Sequence, residues 1–165
     1  MSIIILEGCD ASGKDTLGEY LAEQTGYKLI RGSSFEIAEL GSDGMFEYMM
    51  ELLNQDNIII NRFMYSNLVY GAIFNYPMMT PVQYDRLVDR LDEDSLVVYL
   101  YAPKGTISYR MQNRGDDMIK VENIDDILKG YSEELYGHYR PSALLSLDTS
   151  TFSTKRMSEI IEKLI

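Results

Sequence analysis

Short unbroken apolar runs recur along this chain, and between them the apolar residues fall three and four apart. Runs of four to six residues read as strands, and the wider spacing reads as amphipathic helix. This pattern predicts strands at 2–7, 27–31, 57–61, 96–101 and 143–147. It predicts helices at 14–25, about 35–54, 65–76, 81–92, 104–114, 123–139 and 154–164. The runs Ile58-Ile59-Ile60 and Leu96-Val97-Val98-Tyr99-Leu100 show no polar alternation, as expected for strands covered by helices on both faces. Strand and helix alternate without a repeat or a low-complexity linker, so the expected fold is α/β: a doubly wound sheet of five parallel strands. In such a sheet ligands lie beyond the carboxyl ends of the strands. The informative residues are therefore those just after Leu6, Ile30, Ile60 and Tyr101.

The first of these places carries the strongest motif. Gly8-Cys9-Asp10-Ala11-Ser12-Gly13-Lys14-Asp15 follows an apolar strand and opens a helix, the context of a phosphate-binding P-loop. Gly8 and Gly13 let the backbone turn tightly enough to aim several N–H groups at one anion, with Ala11 and Ser12 between them. Lys14 would reach the β- and γ-phosphates of a nucleoside triphosphate such as ATP. The position that usually offers a hydroxyl to Mg²⁺ is Asp15, and Thr16 follows one place late. At the other strand ends stand Arg31, then Asn61-Arg62, and then Arg110 and Arg114, which share one helical face. Lys14 and these four arginines are expected to converge on one rim.

Composition sharpens that reading. The chain has 165 residues, is 45% hydrophobic and carries a net charge of −11, so one domain spanning 1–165 with a full core is expected. The acidic balance disfavours nucleic-acid polymers and anionic membranes as partners and leaves small anionic ligands for the few cations. Cys9 is the only cysteine, which excludes a disulfide framework and a thiolate cluster. No basic leader precedes the first strand and no apolar run approaches the ~20 residues of a membrane span, so a cytoplasmic protein is expected. His138 is the only histidine and reads as a surface residue on a polar helix.

With these residues in view, the chain resembles the thymidylate kinase family of nucleoside monophosphate kinases. Glu7-Gly8-Cys9-Asp10 to Thr16 is similar to that family's first motif. Asn61-Arg62-Phe63 with Ser66 and Val69-Tyr70-Gly71 is similar to the second, and Arg110 to Asp117 to the lid, about 103–122. The resemblance implies Mg²⁺- and ATP-dependent phosphoryl transfer to a deoxynucleoside monophosphate, dTMP first, with dUMP or another deoxynucleotide close behind. It would have Asp10 hold the sugar 3′-hydroxyl, Arg31 and Arg62 hold the acceptor phosphate, and Tyr70 lie against the deoxyribose. Arg110 and Arg114 would fold over ATP, with Arg114 at the transferring phosphate and Arg110 supporting adenine. That allotment suits a reaction in which cations must neutralise two polyanions while the protein does little covalent chemistry.

Three departures stand out. The family's strand-three Asp is Asn61 and its P-loop hydroxyl is Asp15, so a carboxylate has changed sides of the expected Mg²⁺. Mg²⁺ takes one or two carboxylates beside phosphate oxygens and water, which makes the exchange chemically sound. The family's base-reading Gln is Gly71, leaving Phe35 as the first candidate to stack the acceptor base, with Phe46 and Tyr48 behind it. Met45, Phe46, Met49, Met50 and Leu53 also form an apolar stripe of the kind that packs a core. Two other readings compete: a deoxynucleoside kinase, for which Glu36 would be the base, and a nucleotide-binding module without catalysis. The helix at 65–76 is apolar almost all round, which suggests a second covering surface and, with the family, a homodimer.

Overall fold

A computed structural model describes residues 1–32, 37–114 and 121–165. Its strands are β1 (Ile3–Glu7), β2 (Lys28–Arg31), β3 (Ile58–Asn61), β4 (Ser95–Tyr101) and β5 (Leu144–Asp148). Its helices are α1 (Lys14–Thr25), α2 (Gly41–Leu52), α3 (Met64–Phe74), α4 (Pro81–Asp94), α5 (Lys104–Arg114), α6 (Ile124–Tyr136) and α7 (Thr154–Glu162). All five strands are parallel, in the order β2-β3-β1-β4-β5. The chain winds away from β1 on both sides. That opens a crevice beyond the carboxyl end of β1, where Gly8 begins.

The apolar strands work by strict alternation of their side chains between two faces. Ile3, Ile5, Ile58, Ile60, Val97 and Tyr99 enter one core with residues of α2 to α6. Ile4, Leu6, Ile59, Leu96, Val98 and Leu100 enter the other with Leu17 and Leu21 of α1 and Met157 and Ile161 of α7. Two helical layers therefore cover the sheet, which is why the strands need no polar face.

One expectation is corrected. The helix expected over about 35–54 is broken: residues 37–38 are helical and α2 begins anew at Gly41, whose φ of 74° lies outside the right-handed helical region. Phe35 and Glu36 fall outside the described residues. Helix α3 is buried by the chain's own elements from Met64 to Gly71, with α6 packed on it, while Ala72 is exposed and Ile73 and Phe74 are half-buried. Met45, Met49 and Leu53 are core, as the stripe predicts. Phe46 is half-buried with the Arg86 guanidinium over its ring, 4.9 Å from the centroid, and Tyr48 is half-buried against the same core. Among the described residues no helix is long and apolar enough to cross a membrane.

Candidate active site

The loop after β1 is shaped by three residues with positive φ: Gly8 at 153°, Ala11 at 59° and Gly13 at 96°. A Cβ on Gly8 would stand 2.2 Å from the Leu100 carbonyl oxygen, so the crossing of the loop over β4 requires glycine. Gly13 caps α1, and the amides at that helix start are a ready-made anion site. Lys14 is buried and its ammonium donates to the carbonyls of Gly8 and Cys9, each at 2.7 Å, and to Ser12 Oγ at 3.3 Å. Burial, and then the nearby Arg62 charge, pull its pKa down to about 7. Both penalties are ones that a bound phosphate would offset. Cys9 is buried, which pushes its thiol up to about 11 and makes it an inert part of the loop.

On one side of the loop, Arg62 has a φ of 72°, a left-handed conformation that is costly for a long side chain. Its guanidinium pairs with the Asp10 carboxylate and lies 5.4 Å from the centre of the Tyr70 ring. The Asp10 N–H donates to the Tyr70 hydroxyl at 3.3 Å. Burial disfavours the Arg62 charge, but Asp10 outweighs it and the pKa rises. Asp10, Arg62 and Tyr70 thus meet as one cluster. Arg31 does not join it: its exposed guanidinium pairs with Glu19 of α1. Gly71 faces Met78, whose Cγ would lie 2.6 Å from a Cβ there.

On the other side, an open cleft is lined by Ala11 and Gly13 of the loop, Thr16 of α1, Tyr109, Arg110 and Arg114 of α5, and Thr149 and Phe152 after β5. Arg110 donates to the Ala11 carbonyl at 3.1 Å, to Thr149 Oγ1 at 2.9 Å and to the Thr149 carbonyl at 3.1 Å. It therefore ties α5, the loop and the β5–α7 turn together. Asp148 holds that turn by accepting from the Ser150 hydroxyl at 2.6 Å and the Ser150 N–H at 2.9 Å, and these bonds, the hydroxyl's first, keep its carboxyl below the usual range. His138 pairs with Asp85 on the surface at 3.0 Å.

Asp15 is exposed and accepts a hydrogen bond from Asn61 Nδ2, while Asn61 Oδ1 is buried without a partner. One carboxylate and one orphaned amide oxygen side by side are hard oxygen donors of the kind Mg²⁺ takes, so the donor set fits that ion. Among the described residues no group of three His, Cys, Asp or Glu side chains could hold a metal without further ligands.

The sequence assigns no role to Glu7 beyond its motif and does not single out Tyr131. Glu7 is fully buried and accepts from the Phe63 N–H at 2.8 Å, the Ser66 N–H at 3.2 Å and the Ser66 hydroxyl. Tyr131 is buried, bonds Ser66 Oγ at 2.9 Å and stands edge-on to Tyr70 with ring centres 6.4 Å apart. A carboxylate ending a wholly apolar central strand was the available signal for Glu7. Thr149, Tyr109 and Phe152 gave no local signal, because only the fold gathers them at the cleft.

No family model matches the chain. It is 42% identical to the SPbeta prophage-derived protein YorR of Bacillus subtilis (strain 168) over 134 residues, 81% of each chain. The crystal structure of YorR in complex with phosphorylated GDP superposes with a TM-score of 0.90 at 37% identity, covering 99% of this chain and 95% of that one. An adenylate kinase isoenzyme 6 homolog of Caenorhabditis elegans is 25% identical across 98% of this chain and 86% of its own. Thymidylate kinase from Candida albicans shares the fold with a TM-score of 0.64 at 15% identity, covering 99% of this chain and 90% of that one.

Proposed function

The chain belongs to the YorR family, and from that premise we propose that it is a kinase passing the γ-phosphoryl group of ATP to a deoxynucleoside 5′-monophosphate. The observation that carries this reading is the closeness of two cations from different strand ends, Lys14 buried and Arg62 half-buried. Lys14 in the loop and Arg62 beside Asp10 and Tyr70 are close enough for the charge of one to depress the pKa of the other. Like charges are held together in that way where a polyanion is to be bound between them.

In this reading Gly8, Ala11, Ser12, Gly13, Lys14 and Thr16 bind the ATP phosphates, while Arg110 shapes the donor cleft and Arg114 reaches the transferring phosphate. Asp10, Arg62 and Tyr70 bind the acceptor, with Phe35 as the base stacker. Arg31, engaged with Glu19, would have to exchange partners to reach the acceptor phosphate. Asp15 and Asn61 would hold Mg²⁺, which when bound neutralises phosphate charge as it shifts. In the same reading the residues would form one kinase domain with about 103–122 as the lid, of which 115–120 lie outside the described residues, acting in the cytoplasm where ATP is supplied.

Thymine is the first base proposed, by resemblance to thymidylate kinases. A guanine acceptor is the second reading, favoured by the phosphorylated GDP bound to YorR. Transfer of label from γ-³²P-ATP, screened over all nucleosides and their monophosphates, tests both. The expected product is a labelled diphosphate from dTMP or dGMP, with none from thymidine. Label on nucleosides alone would make the chain a nucleoside kinase, and no label on any acceptor would leave a binding module.

A further inference from the structure

Among the described non-glycine residues with positive φ, Arg62 carries the longest side chain, and two residues of β1 accept hydrogen bonds at and beside it. The Arg62 N–H donates to the Leu6 carbonyl at 3.0 Å. The next N–H, that of Phe63, donates to the Glu7 carboxylate at 2.8 Å, and the Ser66 N–H donates to the same oxygen at 3.2 Å. Phe63 is the N-cap of α3 and offers that helix no side-chain cap. The orphan amides at the helix start are met from across the sheet instead.

A local Ser or Asp cap would supply similar hydrogen bonds without burying a full carboxylate, whose desolvation costs several kcal/mol. It would tie the helix only to its own preceding loop. Glu7 ties it to the residue directly before Gly8. The second oxygen of Glu7 accepts from the Ser66 hydroxyl and, at 3.5 Å, from the Tyr131 hydroxyl, and Tyr131 stands against Tyr70. One carboxylate thus reaches toward both partners of the Asp10 cluster.

We propose that Glu7 is a positioning residue whose grip on the Phe63 and Ser66 amides keeps Arg62 left-handed and sets the spacing between its guanidinium and the phosphate loop. The inference rests on the kinase reading for its purpose, and its geometric content stands apart from it.

Two readouts on the full chain keep them separate. The first is the Arg62 backbone, followed by its ¹³Cα shift and amide–Hα coupling in the wild type, Glu7→Gln and Glu7→Ala. The left-handed signature is expected in the wild type and in Glu7→Gln, whose amide oxygen can still accept both N–H bonds. It is expected to disappear in Glu7→Ala, and its persistence there would overturn the proposal whatever nucleotides bind. The second is calorimetric binding of dTMP and dGMP against a non-hydrolysable ATP analogue. Glu7→Ala should bind monophosphate about tenfold more weakly and the ATP analogue within about twofold, with Glu7→Gln near the wild type. Equal losses on both sides would show a merely structural role and reject the proposal. If the wild type binds ATP and no monophosphate, the kinase reading fails while the backbone readout still judges Glu7. Should Glu7→Ala not fold, Glu7→Val, which fills more of the space and accepts no hydrogen bond, carries the same comparisons with the same losses expected. Equal losses in that variant again reject the proposal.

Discussion

Gly8 shows how little freedom single positions in this site have. Its φ and the 2.2 Å approach to the Leu100 oxygen leave no room for a methyl group. Gly8→Ala is expected to destabilise the chain by about 3 kcal/mol or more, read from urea unfolding, and to abolish ATP binding in calorimetry. A variant with wild-type stability would mean that the loop adapts around Cβ. Asp15 makes a different demand. Its bond to Asn61 leaves the orphaned Asn61 oxygen beside a carboxylate, and removing the carboxylate strips the larger charge from the expected Mg²⁺ site. Asp15→Ala should raise the Mg²⁺ concentration for half-maximal transfer about tenfold or more. The same Mg²⁺ dependence before and after the change would remove Asp15 from the metal.

At the scale of elements, the connections between strands and helices carry the testable chemistry. Arg110 joins α5 to the loop and to the β5–α7 turn by three hydrogen bonds. Arg110→Ala should weaken ATP binding about tenfold and leave monophosphate binding within about twofold. A loss on both sides would place Arg110 between the two substrates instead. Glu7 joins β1 to α3 under a different constraint. Burial raises its pKa above 4.5, opposed by the Ser66 and Phe63 donors and the Lys14 charge. The folded chain therefore keeps a proton on Glu7 to higher pH than the unfolded chain does. Its contribution to stability falls as pH rises through the interval above 4.5. Wild type should lose stability relative to Glu7→Gln across that interval, by at most about 1.4 kcal/mol per pH unit, in urea titrations at a series of pH values. Parallel stability curves for the two proteins would contradict the burial argument.

Across the whole molecule, charge and burial are unevenly spread. The chain carries a net charge of −11, yet Lys14, Arg62, Arg110 and Arg114 gather around one loop. Such a basic site in an acidic protein favours small anions over polymers, because an extended polyanion would meet the rest of the surface. The apolar girth of α3 suggests a homodimer; α6 and the core cover Met64 to Gly71 and leave Ala72 exposed with Ile73 and Phe74 half-buried. Sedimentation at micromolar concentration tests it: a species of twice the 18.9 kDa chain is expected, and the mass of a single chain would remove the homodimer.

The sequence alone determined the sheet, its parallel sense, the phosphate loop and the strand ends where cations stand. Those features are local: apolar runs set strands, glycines set the loop, and parallel connection places loop ends together. What it could not decide is where each side chain at those ends points. Arg31 and Arg62 follow neighbouring strands and look equivalent in the chain, yet one turns to Glu19 and the other to Asp10. The difference goes with a left-handed backbone at Arg62, where the N–H groups of Arg62 and Phe63 donate to acceptors on β1 more than fifty residues away. Long-range hydrogen bonds between buried groups are satisfied only by the packed whole, which is why tertiary structure had the decision there.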